Sequence, residues 1–442
     1  MTIKRTNMIR HACVTATVVV VWACIKTTAY CQVDFDREPI QYTESEVNDP
    51  IAQLQERINS GDIKLNFEEG RGYLRSILDE LEVSEKSQTL VFSKTSFQQR
   101  LITPRAPRAL YFNDDVYIGF VQRGDVLEFS SVDPQQGAIF YTLKQEEVEK
   151  PTFIRDRGNC LTCHASSRTQ NVPGHLVRSV YPSQSGLPHF GAGTFRTNHA
   201  SPMEERWGGW YVTGTHGKQR HMGNVVSKDR DRPDLLDVES GANVRDLSDL
   251  LSTRAYLSEH SDIVALMVLE HQTDMHNLIT HANYSARTAL YQSESMNKIL
   301  ERPAGHISES TQRRIDNAAE KLVRYMLFVD EIELTDPIEG TSGFALEFAA
   351  QGKKDSRGRS LREFNLKTRM FKYPCSYLIY SDAFDAMPEV TKTYVYRRLW
   401  EVLTGKETNE AFSRLTEDDR QSILEILKET KQDLPDYWQA NT

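Results

Sequence analysis

The segment Cys160-Leu161-Thr162-Cys163-His164 combines residue types and a spacing that could do chemistry. Two thiols separated by two residues can both reach the two vinyl carbons on one edge of a haem, and the adjacent histidine then lies under the iron. Thioether bonds of this kind keep the cofactor from dissociating. The motif therefore predicts one covalently attached haem c, bound through Cys160 and Cys163, with His164 as the proximal iron ligand.

Two other uses of this cysteine pair compete with haem attachment. A thioredoxin-like C-x-x-C motif requires a βαβ setting, and the pattern around Cys160 does not predict one. A zinc site built from Cys160, Cys163 and His164 requires a fourth ligand, which the neighbouring spacing does not supply. Haem attachment is therefore the favoured hypothesis.

The five-residue motif resembles that of the c-type cytochromes, and Pro173 and Leu176 are similar to the Gly-Pro-x-Leu segment that follows it in small members. This chain departs from that family by having Pro-Gly in place of Gly-Pro, and strands and turns in place of the intervening helices. The resemblance implies that the proline carbonyl accepts a hydrogen bond from His164. It also implies a methionine at the sixth coordination site, about sixty residues after the motif. Met222, 58 residues after His164, is the candidate distal ligand.

Several alternatives to Met222 stay open at the sixth position. His216 and His221 lie in the same turn-rich stretch, and His271 lies on a predicted long helix in a row that should be buried. An empty sixth site is a further alternative. A methionine or histidine there suits electron transfer, whereas an open iron permits peroxide or small-gas chemistry.

Two further sets of residues are candidates for contact with the cofactor. The segment 206–216 contains two tryptophans, a tyrosine and three glycines, which suits either a wall packed on the porphyrin or an ordinary pair of strands. Five arginines are candidates to pair with the haem propionates: Arg155, Arg157, Arg178, Arg196 and Arg206.

Residues 1–31 have the pattern of a secretory signal peptide. Basic residues precede an uncharged run at 12–25, and small and polar residues follow, so cleavage is expected after Ala29 or Cys31. The run is short for a membrane-spanning anchor, which needs about 20 residues. A lipoprotein signal with Cys31 at the new N-terminus is the other alternative. The predicted localisation is periplasmic or secreted.

The charge and the cysteine count exclude several classes of protein. The chain has a formal net charge of −9, and the predicted signal peptide contains basic but no acidic residues, so the mature chain is more acidic still. Nucleic acid is therefore not an expected partner. The mature chain is also expected to have no transmembrane segment. Cys160, Cys163 and Cys375 do not make a disulfide framework.

The pattern along the chain predicts an α+β fold with three regions after the signal peptide. A β-rich N-terminal region at 32–150 begins with helices near 51–58 and 71–81 and continues as a small antiparallel sheet between 89 and 143. The haem c-binding region at 151–245 is irregular. The region 246–442 is mainly helical, and the predicted helices span 244–256, 262–300, 309–328, 392–403 and 417–430.

The first functional hypothesis is an exported mono-haem protein that transfers electrons to a redox partner protein or a small redox molecule. Its alternatives are a haem redox enzyme of the peroxidase or small-substrate oxidase type, and a haem-based sensor. A dedicated electron carrier rarely needs 400 residues around one haem, so the length favours a role beyond carriage without naming a substrate. Whether the protein is an enzyme is left open.

Overall fold

A computed structural model describes residues 34–439. The fold is α+β, as the sequence predicts, with a β-sheet in the N-terminal half and helices in the C-terminal half. The predicted signal peptide and Cys31 lie outside the described residues. Within 34–439, no helix has both the length and the apolar character needed to cross a membrane.

A single antiparallel sheet dominates the N-terminal half. In chain order, the strands are β1 (Thr89–Val91), β2 (Arg108–Phe112), β3 (Val116–Phe120), β4 (Val126–Asp133), β5 (Gly137–Lys144), β6 (Ile154–Arg155), β7 (Arg178–Val180), β8 (Thr194–Arg196), β9 (Trp210–Tyr211), β10 (Gly214–Thr215) and β11 (Glu339–Gly340). The sheet has the order β6-β5-β4-β3-β2-β1-β9, while β7 pairs with β8 and β10 with β11. The haem-binding region predicted at 151–245 therefore contributes both edge strands of this sheet.

The strands predicted between residues 89 and 143 are confirmed, and turn chemistry explains where they end. Between β2 and β3, the Asn113 side chain accepts hydrogen bonds from the backbone N–H groups of Asp115 and Val116, at 3.1 and 2.9 Å. Such a side-chain turn replaces ladder bonds and reverses the chain. β-Branched and aromatic residues fill the strands on either side, as expected for a half-buried pleated surface.

The two faces of the sheet line two different cores. Ile118, Phe129 and Ile139 point to one face and pack in a cluster with the N-terminal helices. Tyr117, Ser130 and Phe140 are their neighbours in sequence and therefore point to the opposite face. The candidate site lies on this second face, where the Phe140 ring contacts His164.

The helices pack around one long central member. Their bounds are α1 (Pro50–Ser60), α2 (Leu74–Glu80), α3 (Leu161–His164), α4 (Ile263–Ile299), α5 (Glu309–Met326), α6 (Phe344–Ala350), α7 (Asp382–Asp385), α8 (Glu389–Leu403) and α9 (Glu417–Thr430). Helix α4 has 37 residues and begins at an N-cap, Asp262. Five of the predicted helices correspond closely to α1, α4, α5, α8 and α9, and a sixth overlaps α2.

The middle of α4 is polar and yet buried. Gln272 and Asn277 are no more than 1% exposed. Buried polar groups are stable only when they are hydrogen-bonded, and Gln272 donates to the backbone of Asn113 and to the Tyr117 hydroxyl, at 2.7 and 2.8 Å. Helix α4 thus binds other chain segments through side chains as well as through apolar packing.

The predicted helix at 244–256 is wrong. The structure has only a 3₁₀ turn there, at Thr253–Ala255. The Asp246 carboxylate accepts from the Ser248 N–H at 2.8 Å and from its hydroxyl at 2.9 Å, which stabilises a local turn in competition with a helix. Leu247 and Leu251, whose spacing resembles a helical repeat, are buried in the N-terminal core.

Candidate functional site

Helix α3 brings the motif residues together on a single turn. The backbone N–H groups of Cys163 and His164 both donate to the Cys160 carbonyl, at 3.1 and 3.0 Å. The turn begins where the Asp156 carboxylate accepts from the Cys160 N–H at 2.9 Å. Cys160 is half-buried, Cys163 is exposed, and both thiols are free. Both sulfurs are therefore available for attachment.

The ring of His164 is held in one tautomer by the backbone. Its Nδ1 lies 2.9 Å from the carbonyl oxygen of Gly174. A carbonyl can only accept, so Nδ1 carries the proton and Nε2 keeps its lone pair for a metal. The Gly174 N–H in turn donates to the His164 carbonyl at 2.8 Å, so two hydrogen bonds join these two residues.

The acceptor for His164 is one residue further along than the resemblance implies. Pro173 is buried and Leu176 is half-buried, but the carbonyl that accepts from His164 belongs to Gly174. The reversed Pro-Gly order accounts for the shift, because any backbone carbonyl at this point can serve as the acceptor. The expectation that Pro173 supplies it is corrected.

An ion pair on the sheet lies beside the motif. Arg108 on β2 reaches across β3 to Glu128 on β4, at 2.7 Å. It does so over Gly119, where an added Cβ would lie 2.4 Å from an Arg108 nitrogen. Both charges are close enough to influence His164 and Cys160.

Burial is the largest cause of the pKa shifts of both motif groups, and it acts on them in opposite directions. Burial raises the pKa of the Cys160 thiol to about 12, and the charges of Asp156 and Glu128 add to the effect. A reactive C-x-x-C pair instead has a cysteine with a lowered pKa, so the thioredoxin-like reading loses support. Burial lowers the pKa of His164, against the opposing effect of its bond to Gly174, and this favours the neutral imidazole that binds metals.

The surface around the motif is apolar and partly uncovered. The Phe140 ring lies 4.9 Å from the His164 ring. Ile154, on the same face of the sheet, is 56% exposed, and Phe190, in the loop between β7 and β8, is 57% exposed. Exposed apolar side chains beside the motif are what a bound porphyrin would cover.

Of the five candidate arginines, Arg178 has its guanidinium uncommitted. Within residues 34–439 the Arg178 guanidinium makes no hydrogen bond or ion pair and lies 5.8 Å from the centroid of the Phe190 ring. Burial lowers the pKa of Arg178, while the nearby Cys163 acts in the opposite direction. Arg157 is exposed. The other three are engaged: Arg155 with the backbone of Tyr42 and Ser45, Arg196 with Asp274, and Arg206 with Glu270.

Met222 packs away from the cysteines. Its sulfur accepts a hydrogen bond from the Ser179 hydroxyl at 3.6 Å, and its methyl group lies against Gly208. Ser179 and Arg178 are adjacent on β7 and so point to opposite faces, and Arg178 is the one that lies beside Cys163. The structure brings Cys160, Cys163 and His164 together and leaves Met222 in the core behind β7.

The alternative histidines also have partners. His216 uses both ring nitrogens, with the Gln219 carbonyl at 2.7 Å and the Asn243 N–H at 2.9 Å. His271 lies 2.9 Å from both the His199 ring and the Ser376 hydroxyl. His221 accepts from the Gly223 N–H at 3.0 Å, and its Nε2 is buried without a partner.

Sequence reasoning missed the residues that support the proximal histidine. Gly174 and Phe140 contact the His164 ring, and Asn277 on α4 binds the backbone of His175. The alternation of β5 could have suggested that Phe140 faces a core. Asn277 carried no such signal, because the fold alone brings α4 against the loop after α3.

Comparisons with protein families, curated proteins and solved structures find no match to this chain. In the part of the chain that the structure describes, no group of three or more His, Cys, Asp or Glu side chains is placed to hold a metal ion.

Proposed function

We propose that this chain is an exported c-type haem protein in which Cys160 and Cys163 carry the haem as thioethers and His164 Nε2 binds the iron. The observation that carries the proposal is the bond between His164 Nδ1 and the Gly174 carbonyl. Metal-binding histidines usually donate their second N–H to a carbonyl or a carboxylate, which fixes the ring orientation. Here this arrangement occurs in the histidine of a C-x-x-C-H motif.

The surroundings of the motif fit a porphyrin. Ile154 and Phe190 offer exposed apolar surface to the macrocycle, and Arg178 offers an unpaired positive charge to a propionate. Arg178 is therefore the propionate partner that we favour among the candidate arginines. When bound, the haem supplies one-electron chemistry at its iron.

Electron transfer with a redox partner protein or a small redox molecule is the activity we propose, in a periplasmic or secreted location. A second candidate activity is redox catalysis or sensing at an open sixth position. That alternative is favoured by the packing of Met222 against Ser179 and by the occupied nitrogens of His216 and His271.

Covalent attachment is tested by producing the full chain in cells that contain the haem-attachment machinery. We expect a haem-stained band on a denaturing gel that survives acid-acetone extraction. Changing both Cys160 and Cys163 to alanine should abolish the stain. Cys375→Ala is the matched control, because Cys375 is a buried free thiol outside the motif, and it should leave the stain intact. A colourless wild-type band would refute the proposal.

The two candidate activities differ in how the iron responds to ligands. An iron closed by a protein ligand should give a low-spin spectrum and bind carbon monoxide slowly. An open iron should be high-spin and bind carbon monoxide readily in the ferrous state. The second result would favour catalysis or sensing over electron transfer.

A further inference from the structure

We propose that Asn277 on α4 is the positioning residue for the proximal histidine, acting through the peptide unit that joins Gly174 to His175. The Asn277 Oδ1 accepts from the His175 N–H at 2.8 Å, and its Nδ2 donates to the His175 carbonyl at 2.8 Å. The carboxamide therefore clamps both backbone groups of His175. This inference rests on the proposed function and extends it to a residue more than a hundred positions away from the motif.

The clamp acts on His164 because a peptide unit is planar. The carbonyl of Gly174 and the N–H of His175 belong to the same unit and point in opposite directions when the bond is trans. Asn277 binds the unit on one side, and His164 Nδ1 donates to it on the other. Rotating this peptide would break both bonds, so Asn277 fixes the direction of the carbonyl that His164 requires.

The atoms around the Asn277 carboxamide are closely packed. A Cβ at Gly174 would lie 2.1 Å from the Asn277 Oδ1, so a side chain at this position would push the amide away. The ring of His175 is held as well, because its Nε2 lies 2.8 Å from the Ser130 hydroxyl and its ring packs at a tilt against that of Tyr117, with the centroids 4.3 Å apart. Asn277 itself is 1% exposed, so water does not compete for its bonds.

The clamp has an electronic consequence at the iron. A hydrogen bond to the peptide N–H polarises the unit and makes its carbonyl a better acceptor. A stronger bond from His164 Nδ1 makes the imidazole a more basic ligand, which favours ferric iron and lowers the reduction potential. Weakening the clamp should therefore raise the potential.

Two substitutions at Asn277 separate this role from a general role in packing. Asn277→Leu keeps the volume and removes both hydrogen bonds, so we expect a higher reduction potential of the haem-loaded protein. Asn277→Asp keeps the acceptor for the His175 N–H and adds negative charge, so we expect a lower potential. The matched controls are Asn283→Leu and Asn283→Asp, because Asn283 is a buried asparagine on the same helix that bonds to Pro134. They should shift the potential much less.

A second measurement does not depend on haem. In the full chain with Cys160 and Cys163 changed to alanine, ¹⁵N NMR of labelled histidine should show His164 protonated at Nδ1. Asn277→Leu should shift the ring toward a mixture of tautomers, whereas Asn277→Asp should preserve the Nδ1 form. A colourless wild-type protein would therefore refute the proposed function, but the effect of Asn277 on the tautomer of His164 could still be measured.

The inference is overturned if Asn277→Leu folds and leaves both the potential and the tautomer of His164 unchanged. It is also overturned if the Asn283 variants shift the potential as much as their Asn277 counterparts. If Asn277→Leu does not fold, the test rests on Asn277→Asp. The proposal is then contradicted if the reduction potential of Asn277→Asp equals that of wild type or that of Asn283→Asp.

Discussion

Individual residues of the candidate site differ in how far chemistry alone could predict them. The spacing of Cys160, Cys163 and His164 fits the dimensions of one haem edge, so a motif of five residues is enough to propose their roles. The acceptor for His164 was displaced to Gly174, because hydrogen bonding specifies a carbonyl and not the residue that carries it. Asn277 could not be predicted, since its role exists only after α4 packs against the loop.

Met222 gives a prediction at the same scale. We expect Met222→Leu to leave the optical spectrum of the haem protein unchanged, because the sulfur is bonded to Ser179 and packs behind β7. A volume-conserving change in a core costs less than about 1.5 kcal/mol of the free energy of unfolding. Oxidised and reduced spectra, including the near-infrared region, provide the measurement.

The opposite result would restore Met222 as the sixth ligand. It would appear as loss of a near-infrared sulfur-to-iron band together with a lower reduction potential and new binding of carbon monoxide. Met203→Leu is the matched control, since Met203 is a similarly buried methionine, and it should change neither spectrum nor potential.

At the scale of elements, the N-cap residue of α4, Asp262, gives a second prediction. The Asp262 carboxylate accepts from the N–H groups of Val264 and Ala265, at 2.8 and 3.2 Å. It also accepts from Thr341 and Ser342 in the loop before α6. We expect Asp262→Ala to lower the free energy of unfolding by about 3 kcal/mol, more than a simple cap, because buried and half-buried donors from two segments lose their acceptor. Urea denaturation measures the change.

A simpler cap on the next helix provides the comparison. Ser308 caps α5 by accepting from the Thr311 N–H at 3.2 Å. Ser308→Ala should cost about 1 kcal/mol. Equal losses for the two variants would show that Asp262 acts only as a cap and does not join α4 to the loop.

The elements themselves were predictable wherever one periodicity dominated. Strong alternation or a helical repeat, bounded by turn residues, identified the strands β1 to β5 of the sheet and the helices α4, α5 and α9. The helix predicted at 244–256 is wrong because Leu247 and Leu251 have helical spacing while the Asp246 side chain stabilises a turn. Helix α6, with seven residues, is too short to show a repeat.

Across the whole molecule, buried carboxyl groups make stability depend on pH. Burial raises the pKa of Glu331 from 4.5 to about 7, against the opposing hydrogen bond from the Met370 N–H. Between these two values the folded state holds a proton that the unfolded state has released, so stability falls as pH rises. We expect wild type to lose roughly 3 kcal/mol relative to Glu331→Gln between pH 4.5 and pH 8.

This prediction is measured by urea denaturation of both proteins across that pH range. Glu333→Gln, at an exposed position two residues away, is the control and should follow the pH dependence of wild type. A constant difference between wild type and Glu331→Gln would show that the Glu331 carboxyl does not change protonation on folding in this range.

The order of strands in the main sheet has a consequence for how the protein is made. β6 precedes the cysteine motif and β9 follows it, and they lie at opposite edges, so the intervening chain crosses a width of roughly 29 Å. β9 pairs with β1, which lies about 120 residues earlier, and such distant pairings form late in folding. During synthesis the six strands β1 to β6 are complete before Cys160 emerges. The cysteine motif is therefore synthesised before the strand that completes the far edge of the sheet.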